Sequence, residues 1–306
     1  MNFKKPKFWD YSKPSFLSFF LYPISILFLI GSAFLNIFKS KNKFTVPVIC
    51  VGNIYVGGTG KTPLSIEIYK ILKSIGKNPA FIKKGYNYLF DEINMLSKIG
   101  KTFTGNNRKK LISSLVSSNY DIAIMDDGFQ DITIKKDFSI LCFSSKQGFG
   151  NGFIIPSGPL RESIHSIKKA DCILINGKKN EKIENSINKI NKNLKIFYSR
   201  YKIRNIEKFH NKKFIAFAGI GNPDNFFELL KENKINVEKT YSFPDHHEYL
   251  DKDFDRIKGS SNEKIITTEK DYNRLNNEYK KICEYLEVNL EIDNKDELIN
   301  LIKNKI

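Results

Sequence analysis

The chain has 306 residues, 41% of them hydrophobic, which gives room for two domains of ordinary size and enough apolar content to bury a core. Four cysteines (Cys50, Cys142, Cys172 and Cys283), none in a C-x-x-C pair, argue against a zinc fold, and three of them sit in short apolar runs that read as buried strands. The formal net charge of +17 points to a polyanionic partner such as nucleic acid, an anionic membrane or a phosphorylated substrate, although Lys, Asn and Ile are abundant everywhere and a general composition bias accounts for the excess equally well.

The first element is an uncharged stretch from Ser15 to Phe38, S-F-L-S-F-F-L-Y-P-I-S-I-L-F-L-I-G-S-A-F-L-N-I-F. Its length matches the roughly 20 apolar residues that a membrane span requires. Pro23 and Gly31 interrupt it, and lysines flank both ends (Lys4, Lys5, Lys7 and Lys13; Lys39, Lys41 and Lys43). Symmetric flanks give no orientation but suit a helix held at an anionic membrane surface. No small-residue cleavage site follows, which disfavours a signal peptide. A helix packed on the core is the alternative.

From Val46 the pattern becomes α/β. V-P-V-I-C-V-G reads as a buried strand, followed by a glycine loop and a helix that stops at Gly76. Strands follow at A-F-I-K, D-I-A-I-M, F-S-I-L-C-F and C-I-L-I-N, most of them between helical or loop segments. This is the pattern of a parallel sheet covered on both faces. The stretch I-F-Y-S-R-Y-K-I at 196–203 reads as a link. A second series, K-F-I-A-F-A-G-I-G, V-E-K-T-Y-S-F, K-I-I-T-T and L-E-V-N-L-E-I, predicts a smaller α/β domain. The boundaries read 1–43 for the N-terminal helix, 44–205 for the main domain, 206–293 for the smaller one and 294–306 for a closing helix that suits either. No internal repeat is visible.

The loop Y-V-G-G-T-G-K-T at 55–62 follows a strand and opens a helix. A phosphate-binding loop needs a backbone curled so that N–H groups point inward, a lysine that reaches the outer phosphates, and a hydroxyl for magnesium at a helix N-terminus. Gly57, Gly58 and Gly60 permit the curl around Thr59, Lys61 supplies the charge and Thr62 the hydroxyl; Tyr55 replaces only the first glycine of the usual pattern. The magnesium partner should be an acid at a strand's C-terminal end, and D-I-A-I-M-D-D-G-F-Q delivers Asp126 and Asp127 there. A capping or turn-forming Asp-Asp-Gly is the alternative.

Taken in order, V-G-N-I-Y-V-G-G-T-G-K-T-P (51–63), D-D-G-F-Q (126–130), P-S-G-P-L-R-E (156–162), A-F-A-G-I-G-N-P (216–223), F-P-D-H-H (243–247) and T-T-E-K-D (267–271) resemble the tetraacyldisaccharide 4'-kinase family of the lipid A pathway. The resemblance runs over nearly the whole chain and includes the N-terminal Phe8-Trp9 and the apolar helix with its proline. It departs at I-K-K-G-Y-N-Y-L-F-D-E, where the family has S-R-G-Y-G-R and a longer loop, so that Lys84 stands for an arginine.

The resemblance implies a P-loop NTPase parallel sheet with a smaller C-terminal α/β domain, and ATP-dependent phosphorylation of the 4'-hydroxyl of the tetraacylated glucosamine disaccharide-1-phosphate. It implies ATP on Gly57, Gly58, Thr59, Gly60, Lys61 and Thr62, with Arg108 facing the site. Mg²⁺ would be organised by Thr62, Asp126, Asp127 and Glu162, with Arg161 neutralising the transferred charge. Asp91 aligns with the family's catalytic aspartate, supported by His246 or His247. Asp91 falls in the first domain by these boundaries and the histidines in the second, so their cooperation calls for a cleft, with one histidine hydrogen-bonding Asp91 on closure. The implied location is the cytoplasmic face of the bacterial inner membrane, with no nucleic acid and no obligatory protein partner.

Other readings stand beside these. Arg161–Glu162 suits a surface ion pair, Asp245-His246-His247 half of a zinc site without a third ligand cluster, and A-G-I-G-N a tight strand-to-helix turn. His165 and His210 read as ordinary surface residues. A membrane-associated P-loop ATPase that drives partner assembly is the competing function, but such enzymes often carry a second lysine where this chain has Val56. No basic segment interleaved with aromatics supports nucleic-acid binding.

Overall fold

The computed structural model describes residues 5–86, 89–258 and 263–306. Lys4 and positions 87–88 of the shortened loop lie outside the described residues. The chain forms two compact units, one of residues 5–85, 99–200 and 291–306, the other of 86–98 and 201–290.

In the larger unit, helix α1 (Phe16–Ile37) precedes β1 (Val48–Gly52), α2 (Lys61–Ser74), β2 (Pro79–Lys84), β3 (Thr102–Gly105), α4 (Arg108–Ser117), β4 (Ile122–Asp126), β5 (Phe138–Ser144), β6 (Cys172–Asn176), α5 (Glu181–Ile190) and β7 (Lys195–Ile203). Strand β12 (Val288–Ile292), which straddles the division at 290, joins its sheet, and α10 (Lys295–Lys303) follows. The sheet order is β12-β7-β6-β5-β1-β4-β2-β3, with every pair from β7 to β3 parallel. Strands β1, β4 and β5 are buried along their whole length, as expected for a sheet covered on both faces. Because β1 lies between β4 and β5, the connections leave it in opposite directions, and the crevice beyond its carboxyl end is where open α/β sheets bind ligands. Helix α10 packs here, with Lys295 on Glu67 at 2.6 Å and Lys305 on Asp171 at 3.1 Å.

The smaller unit contains α3 (Phe90–Ser97), β8 (Lys213–Ala218), α6 (Pro223–Glu232), β9 (Asn236–Ser242), α7 (Asp251–Lys258), β10 (Lys264–Thr268), α8 (Glu269–Arg274), α9 (Asn277–Ile282) and β11 (Cys283–Leu286). Its sheet, β11-β10-β8-β9, is parallel throughout. Helix α3 packs on α8, with Lys98 on Glu269 at 3.2 Å.

Three local readings change. The stretch read as a link is strand β7, whose alternating burial shows one face covered and one wet. L-E-V-N-L-E-I is two strands rather than one: β11 ends at Leu286 in the small sheet and β12 begins at Val288 in the large one. The segment 86–98, assigned from sequence to 44–205, clusters with 201–290, since α3 buries its face on α8.

Helix α1 starts at an N-cap, Ser15, that forms a reciprocal capping box with Ser18. Its buried residues are Ser18 and Ser25, one heptad apart. Ser25 Oγ donates to the Ile154 carbonyl at 2.8 Å and lies 2.8 Å from Ser157 Oγ, while Asn151 Nδ2 donates to Ser18 Oγ at 2.9 Å. The hydrophobic side chains point away: Phe16, Phe20 and Leu27 are 88%, 70% and 68% exposed. A helix packed on a core buries its apolar stripe; this one buries its small polar stripe instead, so the core-helix alternative is set aside.

Candidate active site

The glycine loop runs from the end of β1 to the first turn of α2. Gly57 and Gly60 adopt φ of 127° and 93°, the region that a side chain disfavours. Asn53, fully buried, fixes the curl: its Nδ2 donates to the Tyr55 carbonyl at 2.6 Å and to Thr59 Oγ1 at 3.0 Å. Tyr55 is buried, and its hydroxyl donates to Asp10 and accepts from Lys5 Nζ at 3.2 Å. Burial and the Asp10 carboxylate raise the Tyr55 phenol well above its ordinary pKa, so it stays neutral. No side chain caps α2 at Gly60, so its first N–H groups remain available to an anion such as phosphate.

The P-S-G-P-L-R-E loop lies along the glycine loop: Val56 N–H donates to the Pro159 carbonyl at 2.8 Å and Arg161 N–H to the Ile54 carbonyl at 2.7 Å. This brings Arg161 Nη1 to Asp127 Oδ1 at 2.9 Å and to Gln130 Oε1 at 3.4 Å. D-D-G-F-Q fits closely over β1, where a Cβ on Gly52 would meet Phe129 Cβ at 2.5 Å. Arg108 is buried and donates to the Asp127 carbonyl at 2.7 Å and to Asp131 Oδ2 at 3.3 Å, so it holds the acidic turn in place.

The two acids differ. Asp126 is fully buried, with Thr62 Oγ1 donating to Oδ2 at 3.1 Å, Ser65 Oγ to Oδ1 at 2.9 Å, and Lys83 Nζ 2.5 Å from Oδ2. Asp127, at φ 57°, is part-exposed and faces Lys61 at 3.9 Å besides Arg161. Because Thr62 spends its proton on Asp126, the lone pairs of its oxygen are left for a cation, and that donor set fits Mg²⁺. A magnesium site built of one hydroxyl and one or two carboxylates is completed by phosphate oxygens and water. No group of three or more His, Cys, Asp or Glu able to hold a metal occurs among the described residues. Glu162 Oε2 pairs with Lys169 Nζ at 3.3 Å.

In the smaller unit, Asp91 opens α3 with its side chain 1% exposed. Arg274 Nη2 donates to Asp91 Oδ2, and Lys270 Nζ stands 3.7 Å from the same oxygen. Among the described residues Oδ1 is buried without a hydrogen-bond partner. His246, held at a left-handed φ of 58°, places Nδ1 3.8 Å from that oxygen. The sequence-based expectation of a histidine hydrogen-bonded to Asp91 gives way to a relay. Arg274 Nη2 lies 3.1 Å from His246 Nδ1, and since a guanidinium only donates, Nδ1 accepts and Nε2 carries the proton. Asp91 and His246 belong to one compact unit, so no domain closure is needed to bring them together. Burial, reinforced by Lys270 and Arg274, holds His246 below its ordinary pKa, against the pull of Asp245 and Asp91. Burial also pushes Lys270 down, but Glu92, Asp245 and Asp91 outweigh it and keep the ammonium charged.

His247 turns elsewhere: its Nε2 lies 3.0 Å from Asp253 Oδ2, and its ring stacks on Phe243 at 4.7 Å. Gly219, in the turn read as a weak second nucleotide loop, donates its N–H to buried Asp271 at 3.0 Å. Sequence reasoning missed Asn53, Lys83, Lys270 and Arg274. The signal for the last two was present, since Lys270 is the lysine of T-T-E-K-D and Arg274 follows one helical turn later on α8.

A parallel sheet with a glycine loop at the carboxyl end of β1, a lysine and a hydroxyl on the first turn of α2, and paired acids ending the next strand define a P-loop phosphotransferase fold. The family model for tetraacyldisaccharide-1-P 4'-kinase matches residues 17–104 and 89–306, and the chain belongs to that family. It is 42% identical to the tetraacyldisaccharide 4'-kinase of Pelagibacter ubique (strain HTCC1062), over 99% of this chain and 98% of the relative. It is 33% identical to that of Rickettsia canadensis (strain McKiel), over 98% and 96%. A crystal structure of LpxK from Aquifex aeolicus in complex with ATP superposes with a TM-score of 0.72 at 24% identity, covering 94% of this chain and 99% of that one, which shows the shared fold. The chain is a kinase of the 4'-position in lipid A synthesis, and the partner-assembly ATPase reading is set aside.

Proposed function

We propose that the chain transfers the γ-phosphoryl group of ATP to the 4'-hydroxyl of a tetraacylated disaccharide 1-phosphate, with Asp91 taking the proton. The observation that carries the base assignment is the buried, unpartnered Oδ1 of Asp91, aimed by Arg274 on the opposite oxygen. As the hydroxyl oxygen bonds to the γ-phosphorus, its proton passes to Oδ1, the bridging P–O bond breaks and ADP leaves. Phosphoryl transfer is mostly positioning and charge neutralisation, and the Thr59–Thr62 turn, Lys61 and Arg161 supply both. Thr62 and Asp127 are the residues that would hold Mg²⁺, with Asp126 behind Thr62, and the metal would supply charge neutralisation for the phosphates. Glu162, which pairs with Lys169, is the further carboxylate that the resemblance assigns to the metal. The Aquifex aeolicus relative crystallised with ATP supports the choice of donor.

The acceptor is a lipid, and α1 supplies an apolar surface for its membrane. Ser25 is held on the loop at 154–157, leaving Ile26 to Ile37 beyond it, about 18 Å of helix at 1.5 Å per residue. That is short of the roughly 30 Å hydrocarbon core. The helix therefore lies along the bilayer surface with its serines on the protein, on the cytoplasmic face of the inner membrane where ATP is present.

The test is transfer of labelled phosphate from ATP to the lipid disaccharide by wild type, Lys61→Ala and Asp91→Asn. Both variants should lose turnover by about 10²-fold or more, Lys61→Ala with weakened ATP binding and Asp91→Asn without. Full activity in Asp91→Asn would refute the base assignment.

A further inference from the structure

Lys83 is 1% exposed and stands in I-K-K-G-Y-N-Y-L-F-D-E, the stretch where the resemblance departs from the family pattern. Strand register puts Ile82 beside Met125, which carries Lys83 to the carboxyl end of β4 and onto Asp126. A buried ion pair is weak grounds for stability, since an apolar pair of similar volume is often as stable; its retention at a phosphate loop asks for another role. Lys83 and Thr62 both donate to the same oxygen, Asp126 Oδ2. The ammonium is thus one carboxylate away from the hydroxyl that would meet the metal. Lys61, Lys83 and Arg161 bring three positive charges against the two of Asp126 and Asp127. A divalent cation arriving alone meets a buried carboxylate whose two oxygens already accept from Thr62, Ser65 and Lys83.

We propose that Lys83 is a positioning residue that makes this a nucleotide-dependent metal site: by occupying Asp126 it keeps the bare protein from binding free Mg²⁺, so that the metal enters with the triphosphate. The proposal rests on the nucleotide reading of the glycine loop. It also explains how Asp126 stays fixed behind Thr62 in the metal-free protein.

The test uses melting temperatures of the full chain without nucleotide, in EDTA and in millimolar MgCl₂. Wild type should melt at the same temperature in both. Lys83→Met leaves Asp126 buried without its cation; it should melt several degrees lower in EDTA and recover part of the loss as Mg²⁺ is added. Lys83→Met/Asp126→Asn removes both charges and should regain most of the wild-type melting temperature with no response to Mg²⁺. Equal Mg²⁺ shifts in wild type and Lys83→Met, or a folded Lys83→Met with no shift, would overturn the proposal. If Lys83→Met does not fold in EDTA, the double variant decides: recovery supports the charge pairing, and failure to recover overturns it. A separate melt of wild type with ATP and Mg²⁺ checks the loop itself, so that a failed nucleotide reading is distinguished from a failed role for Lys83.

Discussion

The adjacent histidines of F-P-D-H-H should separate cleanly into one that serves the reaction and one that serves the fold. His246 touches Arg274, which aims Asp91; His247 touches Asp253 and the aromatic cluster of Phe243 and Tyr249. For His246 the substitution is Asn, which tolerates the left-handed backbone at φ 58°. Loss of the Arg274 contact lets the Asp91 carboxylate drift, and misplacement of that order costs about 10²-fold in kcat, equivalent to about 2.7 kcal/mol of barrier. The melting temperature and the ATP KM should stay near wild type. His247→Ala removes a hydrogen bond to a carboxylate, about 1.5–3 kcal/mol, and a stacked pair, about 0.5–1.5 kcal/mol. At roughly 2–4 °C per kcal/mol for a chain this large, the melting temperature should fall by roughly 4–18 °C, with kcat nearly unchanged below it. The assays are steady-state phosphoryl transfer and thermal denaturation on the same preparations. A kcat loss confined to His247→Ala, or full activity in His246→Asn, would refute the relay through Arg274.

Two further outcomes follow from the same geometry. His246 accepts from Arg274 only when neutral, and its pKa is held below the ordinary 6.5 by burial and by Lys270. kcat should therefore be flat above pH 6.5 and fall on acidification below it, and His246→Asn should lose that acid limb. The sign for stability agrees: the unfolded chain takes up this proton at higher pH than the folded one, so its contribution is lost as pH falls from 6.5 toward the folded value and is fully present above it. An unchanged acid limb in His246→Asn would assign it to another group. On α1, Phe20→Glu/Leu27→Glu places charges on the outward face. At about 1.5–3 kcal/mol per buried side chain, it should weaken binding to anionic vesicles by on the order of 10²-fold while turnover of detergent-dispersed substrate is kept. Undiminished sedimentation would place the lipid contact elsewhere.

The glycine loop, the acidic pair and the apolar helix were legible in the sequence because each is local. A phosphate loop is a run of consecutive backbone conformations, and its glycines, lysine and hydroxyl announce themselves without any partner. The buried strands were legible for the same reason: a strand covered on both faces is apolar at every position, as β1, β4 and β5 are. Strands with one wet face carried a weaker signal, so β7 read as a link and the β11–β12 pair as a single strand. The tertiary structure decided what depends on pairing between distant positions. It set Lys83 against Asp126 across the register of β2 and β4, turned Asp126 inward and Asp127 outward, and gave α1 a serine face toward the protein. It also chose between His246 and His247, which no sequence pattern distinguishes: a single left-handed residue at position 246 sends one ring toward Arg274 and Asp91 and leaves the next stacked on Phe243.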